Sequence, residues 1–206
     1  MPNPITHIVL GKKIHQQFFS HLDFSAFIVG TSFPDIHYIS ELTRTQTHLQ
    51  NQHLKDINTK NSFLAGFQIH SLVDQILNNL GHQKMISFPL RINTLNIVSL
   101  KFYQDKILYS KINNWPQITS FFDRVYPQET EMGVSVKNIQ KWHTWLQKYF
   151  KEGVNKRTVE RFSKSYEQSE FAKNIIESFK ELDKNPLIKK DILELKKNII
   201  SLVEKE

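Results

Sequence analysis

The spacing of apolar residues is the feature that most constrains how this chain can fold. Apolar side chains recur mostly three and four residues apart, and no convincing run of alternating apolar and polar residues predicts a strand. The 206 residues include only six Gly and seven Pro, so helices are interrupted little. A chain of this length supports one sizeable hydrophobic core. We therefore predict an all-α fold, a single-domain helical bundle over residues 1–206.

Caps, glycines and prolines predict where the helices begin and end. We expect a first helix over 5–19, and a short second helix that starts at Asp23 or Ser25 and ends before Gly30. A polar, His-containing helix is predicted over 39–57. The most apolar helix covers 63–80 and is closed by Gly81. Because this helix is apolar nearly all round, it belongs in the middle of the bundle. Later helices are predicted from about residue 95 and over 118–125, 134–150, 158–182 and 187–203.

Composition narrows the classes of site and partner. The chain has no Cys, which excludes disulfides and thiolate metal sites, so any bound metal must be held by nitrogen and oxygen. The formal net charge is +7, and residues 101–206 carry most of the excess Lys. A positive balance suits anionic partners such as phosphate esters, phospholipid surfaces or nucleic acid. The alternative is that the Lys-rich helices simply present solvated faces.

The sequence also bears on membrane insertion and location. The amino terminus lacks a basic segment followed by an unbroken apolar stretch, so we expect no secretory signal. The most apolar stretch, 63–80, contains His70 and Asp74 and is a poor candidate for a membrane span. We therefore expect a cytoplasmic protein with no transmembrane segment.

The histidines are concentrated at one end of the chain. Eight of the nine fall within the first 82 residues, and several lie close to aspartates. His70 and Asp74 are four residues apart in a predicted helix, so the two side chains share a face and can reach a single ion. Imidazole nitrogen and carboxylate oxygen are ligands that zinc accepts where no thiolate is available. Residues 1–83 are therefore the predicted metal-binding part, and 84–206 the helical remainder.

Four pieces of sequence carry a resemblance to a known family. They are Pro4-Ile-Thr-His7-x-x-x-Gly11, Phe27-Ile-Val-Gly30-Thr-Ser-Phe-Pro34-Asp35, Thr47-His48, and Ala65-Gly66-Phe67-x-x-His70-x-x-x-Asp74. In this order they resemble the zinc-dependent phospholipase C family, whose α-helical fold is shared with fungal zinc nucleases that cut single strands. The match covers residues 4 to about 82.

The resemblance implies a fold, an activity and a set of ligands. Members of the family hold up to three zinc ions in a cleft of a helical bundle and hydrolyse phosphodiesters. Residue by residue, it makes Asp35, His48, His70 and Asp74 ligands of one zinc, with Asp74 bridging to a second zinc that His7 also binds. We expect Asp35 also to be the catalytic residue that orients or deprotonates the attacking water.

Other residues are second-rank metal ligands. His15 or His37 could take the place that the free amino terminus has in secreted members of the family. The third zinc of the larger relatives would need His82 and then His143 with an acid four residues later. Here that position is Gln147, whose neutral amide is a poor zinc ligand. We therefore expect one or two zinc ions rather than three.

Each interpretation has a simpler structural alternative. His70 and Asp74 could be a buried hydrogen-bonded pair, Asp35 a helix cap, and His143 a core residue; His21 and His53 are predicted at the surface. For the whole protein, we predict a zinc-dependent phosphodiester hydrolase whose favoured substrate is phospholipid. A zinc-dependent nuclease is the alternative enzyme. A non-catalytic helical protein that retains a partial metal site is the alternative outside the enzymes.

Overall fold

The computed structural model describes the backbone over residues 3–85, 94–164 and 169–206, and the side chains over 3–79, 97–161 and 172–206. The all-α prediction is confirmed: these residues form helices and turns and contain no strand. Within the described chain, no helix is long and apolar enough to cross a membrane. The α-helices are α1 (Pro4–Phe18), α2 (Phe24–Ser32), α3 (Arg44–Thr47), α4 (Ser62–Met85), α5 (Thr94–Leu108), α6 (Trp115–Ser120), α7 (Pro127–Glu131), α8 (Val136–Glu152), α9 (Lys156–Lys164), α10 (Ser169–Asp183) and α11 (Pro186–Val203).

The crossing of α2 and α4 is the closest helix contact in the described chain, and it depends on two glycines. A Cβ atom added at Gly30 would lie well under 3.0 Å from the backbone oxygen of Phe63, and one added at Gly66 would do the same to Phe27. The two backbones can therefore approach only because neither position carries a side chain. Helix α4 also contacts α1 and α11, so it lies inside the bundle as its apolar sequence predicts.

Helix α2 ends later than predicted. Asp23 caps it as expected, since its side chain accepts a hydrogen bond from the Ala26 N–H. The helix continues through Gly30 to Ser32, because this glycine serves the contact with α4 rather than a turn. A short 3-10 helix, Pro34–Tyr38, follows at once. Its second residue is Asp35, which lies inside the 3-10 helix rather than at its N-cap.

The prediction of a helix over 39–57 is wrong. This segment contains only α3 and a 3-10 turn at Leu54–Asp56, joined by irregular backbone. Asn51 has a positive φ of 52°, a conformation that is incompatible with a continuous right-handed helix. Thr43 and Gln46 form a capping box that starts α3, which ends after one turn, and His48 is then extended. Hydrogen bonds from polar side chains to nearby backbone therefore outweigh the helical spacing of the apolar residues in this segment.

Three other boundaries differ from prediction. Helix α4 passes through Gly81 to Met85, so Gly81 is not its C-cap. The helix predicted over 118–125 begins earlier, because Asn114 caps α6 and Pro116 occupies its first turn. The helix predicted over 158–182 begins earlier, at Lys156, and its residues 165–168 lie outside the described part of the chain.

The start of α1 is held by a residue about 100 positions further along the chain. Asn3 occupies the N-cap but makes no capping bond with its side chain. Instead the buried Asp105 carboxylate accepts hydrogen bonds from the N–H of Ile5 and Thr6 and from the Thr6 hydroxyl. Tyr149 of α8 donates a fourth bond to the same carboxylate, at 2.9 Å. Helices α1, α5 and α8 are thus joined at one point, immediately before His7.

The buried position of Asp105 makes the stability of the protein depend on pH. Burial raises the pKa of this carboxyl from 3.8 to about 6, against the opposing effect of the bonds from Thr6 and Tyr149. Since the pKa is raised on folding, the contribution to stability is fully present below pH 3.8 and is lost as the pH rises through about 6. Between about pH 4.5 and 7 the wild type should lose about 2 kcal/mol of unfolding free energy relative to Asp105→Asn. Urea unfolding of both proteins at several pH values measures this, and a constant difference would contradict it.

Candidate metal centre

Five of the predicted site residues converge on one buried cluster. Two groups could hold a metal ion: His7 with His70 and Asp74, and Asp35 with His48 and His70. In each group the three candidate ligand atoms lie within 4.8 Å of one another. The side chains come from α1, the 3-10 helix after α2, the end of α3, and α4. All five lie within residues 1–83, the predicted metal-binding part.

The α2 and α4 crossing orients His70. The carbonyl of Thr31 belongs to the last turn of α2, where carbonyls have no partner within the helix. It lies 2.8 Å from Nδ1 of His70, and since a carbonyl only accepts, Nδ1 carries the hydrogen. Burial first, and then the neighbouring His7, lower the pKa of His70 to about 3. The ring is therefore neutral at pH 7, and its Nε2 carries a free lone pair.

His48 presents a second unprotonated nitrogen to the same point, where Arg44 binds it. Its Nδ1 lies 2.9 Å from the hydroxyl of Thr47, and its Nε2 lies 3.1 Å from Nη1 of Arg44. A guanidinium only donates hydrogen bonds, so Nε2 of His48 must be the acceptor. Burial is the main reason that the pKa of His48 falls to about 4. This ring is also neutral at pH 7.

The two unprotonated nitrogens face each other. Nε2 of His48 and Nε2 of His70 are 3.2 Å apart, yet neither carries a hydrogen to donate to the other. Two facing lone pairs repel unless a cation lies between them. Nitrogen ligands at about 2.0–2.1 Å from a tetrahedral zinc are about 3.3 Å apart, which is close to the observed separation. The donor set and its spacing therefore fit a metal ion.

Both carboxylates are close enough to complete the donor set. Asp35 Oδ1 is 3.7 Å from Nε2 of His48, and Asp74 Oδ2 is 3.6 Å from the same nitrogen. Burial opposes ionisation of Asp35, but His70 and His7 hold the pKa of its carboxyl below the usual value. Burial likewise opposes ionisation of Asp74, and a hydrogen bond from His7 outweighs it and holds that pKa well below the usual range. Both groups are ionised at neutral pH.

His7 lies on the other side of Asp74. Its Nε2 is 3.3 Å from Asp74 Oδ1, and its ring stacks on His70 at 3.8 Å between centroids. The two oxygens of Asp74 thus face different histidines, Oδ1 towards His7 and Oδ2 towards His48. His70 belongs to both candidate groups but has one free nitrogen, so it can bind only one of two ions. The Nδ1 atom of His7 is buried and has no hydrogen-bond partner among the described residues, so its ring is less firmly oriented than that of His70.

The second-rank candidates with described side chains, His15, His37 and His143, lie outside these groups. Nε2 of His15 is 3.0 Å from the carbonyl of Leu22. The ring of His37 is 5.1 Å from that of His48, and its Nδ1 bonds the carbonyl of Pro34. The side chain of His82 falls outside the described side chains.

His143 is held in a different part of the molecule. Its Nε2 is 2.7 Å from Oε1 of the fully buried Glu129, which links α8 to α7. Gln147, one turn later, donates to Asp123 at 2.7 Å. His143 is thus a core residue paired with Glu129, which agrees with the simpler alternative given for it.

The two remaining histidines were both predicted at the surface. His21 is exposed, as expected. His53 is half-buried and hydrogen-bonds the backbone oxygen of Glu206. Its surface prediction is therefore only partly right, because the end of the chain packs against it.

Sequence reasoning missed three residues that contact the site: Arg44, Thr31 and Thr47. Arg44 gave a weak signal, since it precedes His48 by one helical turn. Thr31 and Thr47 act through backbone and hydroxyl oxygens, for which the sequence carries no signal.

Comparisons of the chain with protein-family models, with curated proteins and with solved structures found no match.

Proposed function

We propose that this protein is a zinc-dependent phosphodiester hydrolase. The observation that supports this most directly is the pair of unprotonated nitrogens on His48 and His70, 3.2 Å apart and flanked by the carboxylates of Asp35 and Asp74. Imidazole and carboxylate without thiolate suit zinc, and its usual ligand geometry matches their spacing. The order of the sequence motifs, which resembles that of zinc-dependent phospholipase C, favours hydrolysis at phosphorus.

The residues of the cluster have distinct proposed roles. His48, His70, Asp35 and Asp74 would hold one zinc ion, and Asp74 and His7 would contribute to a second. Bound zinc supplies Lewis acidity, which favours ionisation of water near neutral pH and neutralises charge on the phosphoryl oxygens. Asp35 would orient the attacking water. Deprotonation of that water by Asp35 is the alternative role.

Metal removal tests the proposed function. Purified protein should contain zinc, and it should hydrolyse a chromogenic phosphodiester such as bis-p-nitrophenyl phosphate. Treatment with a chelator should lower the rate by about 100-fold or more, and zinc should restore it, because the metal contributes several kcal/mol to such reactions. Metal analysis and the rates before and after chelation are the measurements. A protein that takes up no zinc, or that is equally active in chelator, would contradict the proposal.

Assays on phospholipid and on single-stranded nucleic acid, under the same conditions, identify the substrate class. We favour phospholipid on the basis of the family resemblance, and single-stranded nucleic acid is the rival. Vesicles of phosphatidylcholine and a single-stranded DNA oligonucleotide, each with and without chelator, separate the two. A non-catalytic zinc protein would bind zinc but hydrolyse neither, with four protein ligands and no position for water around the ion.

A further inference from the structure

One cationic side chain reaches the proposed ligand atoms directly. Arg44 Nη2 donates to Asp74 Oδ2 at 2.9 Å, and Nη1 donates to His48 Nε2 at 3.1 Å. Both acceptors are candidate metal ligands. A guanidinium carries no lone pair that a metal could use. This position of Arg44 therefore excludes a cation on His48 Nε2, and the metal must displace it there.

The charges of the cluster explain why the guanidinium occupies this place. The cluster contains two buried carboxyl groups, Asp35 and Asp74, and the Arg44 guanidinium lies against Asp74. Without a metal, Arg44 compensates one of the two negative charges. A divalent cation compensates both, and Arg44 then becomes a surplus positive charge beside the metal.

The side chain of Arg44 also lies where an anion would enter. It is 47% exposed, whereas the side chains of Asp74 and His48 that it contacts are 10% and 4% exposed. It therefore extends from solvent into the buried cluster. The planar guanidinium can donate two parallel hydrogen bonds to two oxygens of a phosphate. The ammonium of a lysine cannot match this geometry.

We propose that Arg44 binds the anionic oxygens of the substrate: it takes the place of the cation on His48 and Asp74 while metal is absent, and turns to the phosphate once metal is bound. This inference rests on the proposed function, and it adds the residue that selects a phosphate-bearing substrate. Inorganic phosphate is a sufficient probe, since it presents the same oxygens.

Arg44→Gln and Arg44→Lys test the two halves of the proposal by calorimetry. Zinc affinity of the metal-free protein should rise about 10-fold in Arg44→Gln, because two competing hydrogen bonds are gone. Phosphate affinity of the zinc-loaded protein should fall by about 10- to 100-fold in the same variant, since charge-assisted bonds are lost. Arg44→Lys should recover only part of the phosphate affinity. Arg161→Gln is the matched control, because Arg161 is 44% exposed and also bonds a carboxylate, Glu152.

The outcomes separate the two proposals. Zinc-dependent hydrolysis together with unchanged phosphate affinity in Arg44→Gln would overturn the role of Arg44 and leave the proposed function standing. Unchanged zinc affinity in that variant would overturn the proposal that Arg44 and the metal compete for His48 and Asp74. If Arg161→Gln changes phosphate affinity as much as Arg44→Gln does, the effect is one of general charge and the assignment is wrong. A wild-type protein that binds no zinc would overturn the proposed function and this inference together.

Discussion

Asp74→Ala should abolish metal binding and phosphodiester hydrolysis together. Asp74 offers one oxygen towards His7 and the other towards His48, so its loss removes a ligand from both proposed ions: the one it would bind with Asp35, His48 and His70, and the one it would bind with His7. Loss of an outer partner of a metal ligand already costs about 10- to 100-fold in affinity, and loss of the ligand itself should cost more. Zinc titration and the hydrolysis rate, measured on the same preparation, give both results.

The control for this change is another aspartate. Asp183→Ala removes an exposed carboxylate that binds Tyr103 and Lys106, away from the histidine cluster. It should leave zinc affinity and hydrolysis unchanged. His21→Ala, which removes an exposed histidine, should do the same. If Asp74→Ala retains wild-type zinc affinity, Asp74 is not a ligand, and the ion is held by the group of Asp35, His48 and His70 without it.

Gly66→Ala should destabilise the protein by about 3 kcal/mol, the upper part of the usual range for an overpacked core. The new methyl group would meet the backbone oxygen of Phe27, which cannot move without α2. Helices α2 and α4 would have to separate, and the Thr31 carbonyl would then move away from His70. We therefore expect weaker zinc binding as well as a lower midpoint in urea unfolding.

Gly11→Ala is the matched control for the helix crossing. A Cβ atom at Gly11 would lie 3.0 Å from Cγ2 of Thr31, an atom of a side chain rather than of the backbone. This contact can be relieved by a small movement, so the loss of stability should be clearly smaller than for Gly66→Ala. Equal losses of stability in the two variants would show that backbone contact does not limit how closely α2 and α4 approach.

The parts of the site that the sequence predicts are those that depend on local periodicity. His70 and Asp74 share a face of α4 because they are four residues apart, and the apolar pattern around them places that face inside the bundle. Asp35 follows α2 directly, so its approach to α4 depends on the same crossing of helices. The all-α fold is predictable on the same grounds, since local spacing and few interruptions are sufficient to indicate it.

The parts that could not be predicted depend on contacts between distant residues or on competition within a loop. The segment 39–57 has a helical spacing, but its Ser, Thr and Gln side chains bond nearby backbone and leave only short turns. Asp105 caps a helix about 100 residues away, for which no local pattern exists. Nor could the sequence distinguish a ligand from a core residue at His143, because that depends on whether an acid such as Glu129 folds next to it.

The first helix is fastened by residues from much later in the chain, and this determines when the cluster can form. Asp105 holds the start of α1 from 99 residues away, and Lys13 near its middle donates to the carbonyls of Lys196 and Lys197 in α11. Contacts between such distant residues form slowly, because a long loop must close before they are gained. During synthesis, the helix that carries His7 therefore reaches its final position only after residue 197 has left the ribosome, so an ion that needs His7 as a ligand would bind late in folding.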